Sequence, residues 1–358
     1  MKNFTKLKQF GWNDFFEKQF EKFSDENYSA GRVAIENKSN YNLYTEFGEL
    51  TAELSGKFQF NAKEESDYPA VGDWVVIRTI PDENKAIIES VLTRQNKFSR
   101  KIAGMKTEEQ IISSNIDYLF IITSLNQDIN LRRIERYLSL ASENNVTPVL
   151  ILSKSDVCED LEMKLSEVRS IAPEKNIHSL SALENEGMSE LHNYFEGNKT
   201  IAVVGSSGVG KSTLINRLTN SDKMEVSDIS LYKDKGRHTT SHRELIVMPG
   251  GGLIIDTPGM RELQMWEGSD GVSETFADIE KYLGKCRFSD CKHETEPGCA
   301  IKKAMEDGEF NEARFKNYLK LQREITHFEN RNNMKAVIAE KKKWKKLTSE
   351  VKKKDKRK

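Results

Sequence analysis

The segment Gly205-Ser206-Ser207-Gly208-Val209-Gly210-Lys211-Ser212-Thr213 decides the fold class of this chain. Its first eight residues match the pattern G-x-x-x-x-G-K-[ST], with an apolar run over 201–204 before it and helical periodicity over 211–219 after it. Glycines let the backbone curl so that its N–H groups face phosphate oxygens, and the N-terminus of the following helix is positive. Lys211 is expected to reach the terminal phosphates and Ser212 to bind Mg²⁺. The segment predicts a phosphate-binding loop in an α/β domain, whereas a chance glycine-rich turn would lack this context.

A second motif belongs to the phosphate end of the same site. Asp256-Thr257-Pro258-Gly259 follows the apolar run 253–255, which places Asp256 at the end of a buried strand. An aspartate there can hold Mg²⁺ through water, and the N–H of Gly259 can contact a γ-phosphate. We therefore expect Asp256 to help bind magnesium and Gly259 to sense the γ-phosphate.

Two shorter motifs favour guanine over adenine. In Ser153-Lys154-Ser155-Asp156, the Asp156 carboxylate could accept two hydrogen bonds from N1 and N2 of guanine, while Lys154 could lie along the base. Ser181-Ala182 follows and could give a backbone N–H to guanine O6. Each motif is weak alone. Together with the phosphate loop and D-T-P-G they predict a GTPase that uses GTP, GDP and Mg²⁺.

The order of these motifs is unusual. In most GTPases the phosphate loop comes first and the base-binding motifs last, whereas here the motifs begin at residues 153, 181, 205 and 256. From about residue 112, apolar runs alternate with amphipathic stretches, which indicates a parallel sheet covered by helices on both faces. Because the termini of compact domains are often adjacent, such a sheet tolerates circular permutation. The sequence therefore predicts a circularly permuted P-loop GTPase domain over 106–272.

Short strands precede this domain. Five runs of strand character occur between residues 29 and 102, separated by turn residues and without long helices. This spacing is typical of a small barrel or sandwich, and we expect an OB-fold β-barrel over 29–105 after an N-terminal extension over 1–28. Basic residues lie close to the end of the barrel: Arg94, Lys97, Arg100 and Lys101. Nucleic-acid binding is one function such a barrel can serve among many.

A metal site is predicted near the C-terminus. Cys286, Cys291, His293 and Cys299 follow the spacing C-x4-C-x-H-x5-C. Three thiolates and one imidazole can close a tetrahedral Zn²⁺ shell with no open position, so the ion would be structural. The alternative is a set of reduced thiols in a helix bundle. We expect a mainly helical zinc-binding domain over 273–330.

Length and hydropathy argue against a single-domain or membrane-spanning protein, and the charge is concentrated at the C-terminal end. The 358 residues are too many for one ordinary domain, and no apolar run approaches the roughly 20 residues that span a bilayer. The formal net charge is −1, but residues 335–358 hold twelve Lys/Arg and three acidic residues, a charge of +9. A basic end on an acidic body is a common footprint of nucleic-acid contact. The alternative for the tail over 331–358 is a solvated helix that fades into disorder.

A barrel, a permuted GTPase domain and a C-x4-C-x-H-x5-C module in this order resemble one family. It is the RsgA family of bacterial GTPases that depend on the small ribosomal subunit, also called YjeQ or YloQ, and the resemblance covers about residues 30–330. It rests on five segments: Val71-Gly-Asp-Trp74, 205–213, Gly236-Arg-His-Thr-Thr240, 256–259, and Cys286 through Glu296-Pro-Gly-Cys-Ala300.

The resemblance implies a late factor in maturation of the small ribosomal subunit. Such proteins bind the immature subunit, which stimulates them to hydrolyse GTP, and they then dissociate from it. Their OB-fold and zinc modules would contact ribosomal RNA through phosphate charge and RNA shape more than through base sequence. The resemblance also favours an RNA-binding role for the basic tail. We expect a cytoplasmic, monomeric enzyme without membrane contact.

Two departures from the usual pattern bear on the mechanism. Ser153 stands where Asn or Thr is more common, so we expect one hydrogen bond that braces the guanine motif to be weaker. Met260 stands where Ras-like enzymes carry a water-orienting Gln, and Met cannot orient water by hydrogen bonding.

Hydrolysis must therefore recruit another group. Our candidate is His238, next to Thr239 and Thr240, the switch threonines of which one is expected to bind Mg²⁺. His242 is a weaker candidate, and an exposed loop histidine is the alternative for His238. Lys211 would supply charge stabilisation, and slow turnover by the isolated protein is expected.

Two other functions compete with this prediction. One is an RNA-binding assembly scaffold that keeps GTP as a structural ligand, which Met260 leaves open. The other is a small-molecule kinase or ATPase built on the phosphate loop, which would need a substrate pocket and no guanine-binding Asp156. Turnover with ribosomal subunits distinguishes the first, and nucleotide competition distinguishes the second.

Overall fold

The computed structural model describes residues 4–23, 27–102, 108–126, 129–220, 243–256 and 270–326. These residues form two compact units, one up to Asp256 and the other from Asp270 onward. Several predictions lie outside the described residues: the segment 236–242, the residues 257–260 that follow Asp256, and the basic tail over 331–358.

Five strands of the first unit close into a barrel. Their order is β1-β2-β3-β5-β4, and β4 pairs back onto β1; β3 and β5 run parallel, and the other neighbours are antiparallel. The strands are β1 (Tyr28–Glu36), β2 (Tyr41–Thr45), β3 (Gly48–Leu54), β4 (Trp74–Thr79) and β5 (Lys85–Val91). Side chains alternate along β2 between buried and half-buried, as a strand with one face toward a barrel interior requires. The predicted five-stranded OB-type barrel is confirmed.

Short helices surround the barrel. A 3-10 helix (Thr5–Phe10) and helix α1 (Asp14–Phe20) precede it, and α2 (Gly56–Asn61) with a 3-10 turn (Glu65–Asp67) connects β3 to β4. The Asn13 side chain accepts a hydrogen bond from the Phe15 amide and caps α1. Trp12 and Phe16 pack with ring centroids 4.7 and 5.9 Å from Trp74, so the N-terminal segment is anchored by aromatic packing on the barrel.

A buried ion pair joins the end of the barrel to a hairpin formed by β6 (Lys97–Ile102) and β7 (Glu108–Ser114). The fully buried Asp73 carboxylate accepts two hydrogen bonds from Arg94, at 2.8 and 2.7 Å, and one from the Ser114 hydroxyl. Burial opposes the Arg94 charge, but the Asp73 carboxylate outweighs this and raises the pKa of Arg94. We expected the boundary between the barrel and the GTPase domain at residues 105/106. In the sequence, this position falls between β6 and β7.

The rest of the first unit is an α/β layer structure. Its strands follow the order β10-β9-β8-β11-β13-β12, all parallel to their neighbours except β12, which is antiparallel to β13. They are β8 (Tyr118–Ser124), β9 (Thr147–Ser153), β10 (Asn176–Leu180), β11 (Thr200–Gly205), β12 (Glu244–Val247) and β13 (Leu253–Asp256). The register pair Ile35–Glu244 connects β12 to β1 of the barrel.

Helices cover both faces of this sheet, as predicted. α3 (Leu131–Glu143) and α4 (Leu161–Ile171) pack on one face, while α5 (Lys211–Thr219) and a 3-10 helix (Ser189–Phe195) pack on the other. A further 3-10 turn (Ser155–Val157) follows β9. Strand residues adjacent in sequence are buried toward opposite faces, which explains why the parallel strands are continuously apolar.

The second unit is helical in its described part. It contains α6 (Asp270–Thr275), α7 (Ala277–Glu280), α8 (Ala300–Glu306) and α9 over the described residues 312–326. Phe276, Ile301 and Leu321 are among its fully buried side chains. Arg314 makes two 2.8 Å hydrogen bonds to the Asp278 carboxylate and ties α9 to α7. Among the described helices of the chain, none is long and apolar enough to cross a membrane.

Candidate functional site

The predicted nucleotide motifs meet at one edge of the parallel sheet. Gly205 is in register with Ile122 on β8, Leu180 with Ser153 on β9, and Val203 with Asp256 on β13. The carboxyl ends of these strands therefore lie side by side, which is where open α/β sheets bind ligands. This places the phosphate loop, the S-K-S-D motif, the residues after β10 and Asp256 around one site.

The phosphate loop connects β11 to α5. A Cβ atom on Gly205 would lie 2.5 Å from the Ile122 carbonyl oxygen, so this close approach admits only glycine. Gly210, with φ of 92°, turns the chain into α5 from a left-handed conformation. The Lys211 ammonium donates hydrogen bonds to the carbonyl oxygens of Gly205, at 2.9 Å, and Ser206, at 2.6 Å. The remaining predicted residues of this segment lie in the same turn and the first turn of α5: Ser207, Gly208, Val209, Ser212 and Thr213.

Ser153 links the guanine motif to the phosphate loop. Its buried hydroxyl lies 2.6 Å from the Val209 carbonyl oxygen and 3.2 Å from that of Thr123. One hydroxyl proton serves one acceptor at a time, and the shorter distance favours Val209. This hydrogen bond is the contact by which Ser153 braces the loop, and its weakness relative to Asn or Thr stays a prediction.

The other guanine residues occupy turns after β9 and β10. Lys154 adopts a left-handed conformation, with φ of 63°, and starts the 3-10 turn in which Asp156 is exposed. Ser181 is buried and exchanges two backbone hydrogen bonds with Glu186, while Ala182 follows it at the edge of the sheet. Both motifs therefore present groups at the same edge as the phosphate loop.

Asp256 is buried at the end of β13, where the sequence placed it, and its role in binding Mg²⁺ stays a prediction. The other residues predicted for the phosphate end lie outside the described part of the chain: His238, Thr239, Thr240 and Gly259.

Two arginines at this site were absent from the sequence prediction. Arg133, on α3, donates a hydrogen bond to the Ser206 hydroxyl of the phosphate loop. Arg217, on α5, donates hydrogen bonds to the carbonyl oxygens of Ala182 and Leu183. Their partners lie 73, 35 and 34 residues away in sequence, so no local pattern could have indicated these contacts.

The four predicted zinc residues converge in the second unit. Their donor atoms all lie within 4.8 Å of one another. The Nδ1 atom of His293 is 3.4, 3.6 and 3.3 Å from the Sγ atoms of Cys286, Cys291 and Cys299, and Cys286 Sγ is 3.9 Å from Cys299 Sγ. Zn–S and Zn–N bonds of about 2.3 and 2.0–2.1 Å in a tetrahedron give donor separations of about 3.8 Å between sulfurs and about 3.6 Å between sulfur and nitrogen. The cluster therefore fits a zinc ion bound through His293 Nδ1.

The surroundings act differently on the thiols of the cluster. Burial opposes ionisation of Cys286, but backbone N–H groups of Ala300 and Ile301 together with the neighbouring thiols outweigh it and lower the pKa of this thiol. Burial raises the pKa of Cys291 to about 11. Glu296 shapes the turn around His293, because its carboxylate accepts hydrogen bonds from the backbone amides of Lys292, Glu294 and Thr295. These contacts are the supporting interactions that usually orient metal ligands.

Fold and site together define a circularly permuted P-loop GTPase with a Cys3His zinc-binding module. A model of the RsgA GTPase family matches residues 91–266, and a model described as a 50S ribosome-binding GTPase matches residues 200–354. The chain is 41% identical over 350 residues to the small ribosomal subunit biogenesis GTPase RsgA of Opitutus terrae, covering 95% of both chains. It is 42% identical to RsgA 1 of Oceanobacillus iheyensis, covering 90% of this chain and 92% of the relative. The chain belongs to the RsgA family of GTPases.

Solved structures agree with this assignment. YjeQ from Thermotoga maritima matches with a TM-score of 0.62 and 27% identity, over 84% of this chain and 99% of that protein. YloQ, described as a circularly permuted GTPase, matches in fold with a TM-score of 0.60 and 24% identity, over 86% of this chain and 97% of that protein. The permuted order that we inferred from the motifs is therefore confirmed.

Proposed function

We propose that this GTPase binds the small ribosomal subunit, acts in its late maturation, and hydrolyses GTP to GDP and phosphate to drive its own release. The observation that carries the proposal is the meeting of phosphate and guanine motifs at one sheet edge in this family. Its relatives of nearly equal length are named small ribosomal subunit biogenesis GTPases, which favours the small subunit over the large one.

The phosphate end of the site would be formed by residues 205–213. Lys211 would leave the carbonyl groups that it contacts and bind the terminal phosphates, while loop N–H groups cradle them. Bound Mg²⁺ neutralises charge that develops on the phosphates during phosphoryl transfer. The residues that would hold it are Ser212, Asp256 and either Thr240 or Thr239. Gly259 would sense the γ-phosphate.

The base end would be formed by the turns after β9 and β10. Asp156 would accept hydrogen bonds from N1 and N2 of guanine, with Lys154 along the ring, and the Ala182 N–H would donate to O6. Ser153 would hold the guanine-binding turn at a fixed position relative to the phosphate loop through its hydrogen bond to the Val209 carbonyl.

Water would attack in line, and charge stabilisation by Lys211, together with that supplied by Mg²⁺ when bound, would be the main contribution. Met260 offers no hydrogen bond to orient that water, so we assign this role to His238. The test is subunit-stimulated turnover by His238→Ala, with His242→Ala as the matched control. A loss of kcat with unchanged KM in His238→Ala alone supports the assignment, and equal activity of the two variants refutes it.

The remaining modules would contact ribosomal RNA. These are the barrel over 29–105, the zinc domain over 273–330 and the basic tail over 331–358, which flank the GTPase domain over 106–272 and follow the N-terminal extension over 1–28. We propose that the protein works as a monomer in the cytoplasm, where small subunits mature. Mass measurement in solution tests the monomer.

The decisive experiment is GTP turnover with and without small ribosomal subunits, with ATP and large subunits as controls. Stimulation of GTP turnover by small subunits alone supports the proposal. GTP binding without stimulated turnover would favour an RNA-binding scaffold with GTP as a structural ligand. Turnover of ATP equal to that of GTP would favour a kinase or ATPase.

A further inference from the structure

Arg217 connects the phosphate helix to the loop expected to bind the guanine base. It lies in the last turn of α5, whose first residues are Lys211 and Ser212. Its Nε atom donates to the Ala182 carbonyl oxygen at 2.9 Å, and its Nη2 atom donates to the Leu183 carbonyl oxygen at 3.1 Å. One short helix therefore carries groups for both ends of the nucleotide.

The loop after β10 holds the Ser181–Ala182 peptide plane in a defined orientation. The Ser181 carbonyl oxygen accepts a hydrogen bond from the Glu186 amide at 3.0 Å, and the Ser181 amide donates back to Glu186 at 3.1 Å. Because the peptide is planar and trans, the Ala182 N–H points away from the Ser181 carbonyl and hence away from Glu186. Within the described ranges the Ala182 N–H makes no hydrogen bond, so this donor is available to a ligand.

The Ala182 side chain is buried in the apolar cluster on one face of the sheet, whereas the loop over 183–187 is exposed. The Leu183 side chain at the tip is 65% exposed, so hydrophobic packing does not anchor this part of the loop. The hydroxyl of Ser181 accepts from the Glu184 amide at 3.1 Å, which closes the turn on itself without fixing it to the rest of the domain. The two-pronged contact from Arg217 supplies that attachment, and it reaches the peptide carbonyl immediately after the Ala182 N–H.

We propose that Arg217 is a positioning residue for guanine recognition, holding the Ala182 N–H where it meets the O6 atom of the base. This inference rests on the proposed role of Ala182 in the nucleotide site. Because the Arg217 guanidinium donates to the carbonyl oxygens of Ala182 and Leu183, its loss would act through the O6 contact of Ala182. Guanine and hypoxanthine both carry O6, whereas adenine carries an amino group at that position. The diphosphates of guanosine and inosine should therefore depend on Arg217, and ADP should not.

The test measures GDP, IDP and ADP affinities by displacement of a fluorescent GDP analogue from the full-length, zinc-loaded protein. For Arg217→Met we expect GDP and IDP to weaken together by about tenfold, while ADP affinity stays within a factor of two. Arg217→Lys keeps the charge and one donor and should show a smaller loss with the same base dependence. A purely structural role in α5 would weaken all three nucleotides equally, because α5 carries the phosphate-binding residues.

Arg169→Met is the matched control, because Arg169 is exposed in the last turn of α4 and loses the same charge. It should leave all three affinities unchanged. Parallel weakening of ADP in Arg217→Met, or unchanged GDP affinity, would overturn the inference. The wild-type protein tests the underlying site separately: equal affinity for GDP and ADP would refute the proposed guanine site itself, whatever Arg217 does.

Discussion

Replacement of Asp73 by asparagine should destabilise the unit that contains the barrel and the GTPase sheet. The buried carboxylate of Asp73 accepts hydrogen bonds from Arg94, from the Ser114 hydroxyl and from the Ala70 amide. Asparagine has a similar shape but carries no charge and presents an NH₂ donor where the carboxylate accepts. The variant therefore leaves the Arg94 guanidinium without its counter-charge. It also places the asparagine NH₂ group against a hydrogen-bond donor that the carboxylate now accepts from.

The loss of unfolding free energy in Asp73→Asn should lie near the lower end of the range for broken buried ion pairs, which is about 3–5 kcal/mol. The Arg94 side chain is 15% exposed and keeps the carbonyl oxygens of Ser66 and Tyr68 as acceptors, so it stays partly satisfied. We expect the free energy of unfolding to fall by about 3 kcal/mol. For a unit of this size, that corresponds to a drop of about 6–12 °C in the unfolding midpoint.

The assay is urea and thermal unfolding of the full chain at fixed GDP and zinc concentrations, because bound ligands shift apparent stability. Glu89→Gln is the matched control. It makes the same change of charge on the same barrel, but its partner Arg78 is 52% exposed, and such pairs contribute about 0–1 kcal/mol. Arg94→Met and the double variant complete a cycle, in which the double variant should cost less than the two single losses combined. Equal losses for Asp73→Asn and Glu89→Gln would refute the argument from buried charge.

Three further predictions follow from contacts at the nucleotide and zinc sites. Ser153→Ala should lower the free energy of unfolding by about 1–3 kcal/mol, since it leaves the Val209 carbonyl without its buried donor. Ser153→Thr keeps the hydroxyl and should retain most of the stability. Equal losses of unfolding free energy for the two variants in urea would contradict this. A zinc-selective chelator should unfold the Cys3His module while the affinity for guanine nucleotides persists. Circular dichroism measures the unfolding, and GDP displacement measures the affinity. An unchanged circular dichroism spectrum would mean that the metal is not structural. Hydrogen bonds from backbone amides, that of Lys292 first, lower the pKa of Glu296 to about 2. Its stabilising contribution is therefore complete above the ordinary pKa near 4.5 and is lost as the pH falls toward 2, so the wild type and Glu296→Gln should converge in stability across that interval.

Local sequence patterns predicted the elements that carry periodicity. The helix over 211–219, the buried strands before it and the strands of the barrel lie where hydrophobic patterning places them. The hairpin of β6 and β7 escaped prediction, because 97–102 combines three basic residues with only two apolar ones and no regular alternation. Its partner strand and the buried Asp73 nearby fix it through long-range contacts, which a local pattern does not contain.

The nucleotide site was predictable where chemistry follows from spacing and unpredictable where it follows from three-dimensional contact. The phosphate loop and the zinc ligands are sets of residue types at fixed intervals, so sequence alone indicates them. For Ser153 the residue type suggested a brace but not its partner, because only the folded chain brings its hydroxyl to 2.6 Å from the Val209 carbonyl oxygen. Arg133 and Arg217 reach across the domain to contacts that have no counterpart in the linear sequence.

The permuted strand order also sets the order in which the sheet can be completed during synthesis. The barrel and β8, β9 and β10 leave the ribosome before β11, which must then join the edge of β8. From the start of β8 to the start of β11 the growing chain adds about 80 residues, roughly 4–16 s of translation at 5–20 residues per second. Throughout that interval one edge of the nascent β8 has no partner strand, and unpaired edges invite pairing with other chains. A GTPase with its phosphate loop first would make this central strand at the outset, so the permutation carries a vulnerability to misassociation that belongs to the nascent chain and disappears once β11 is in place.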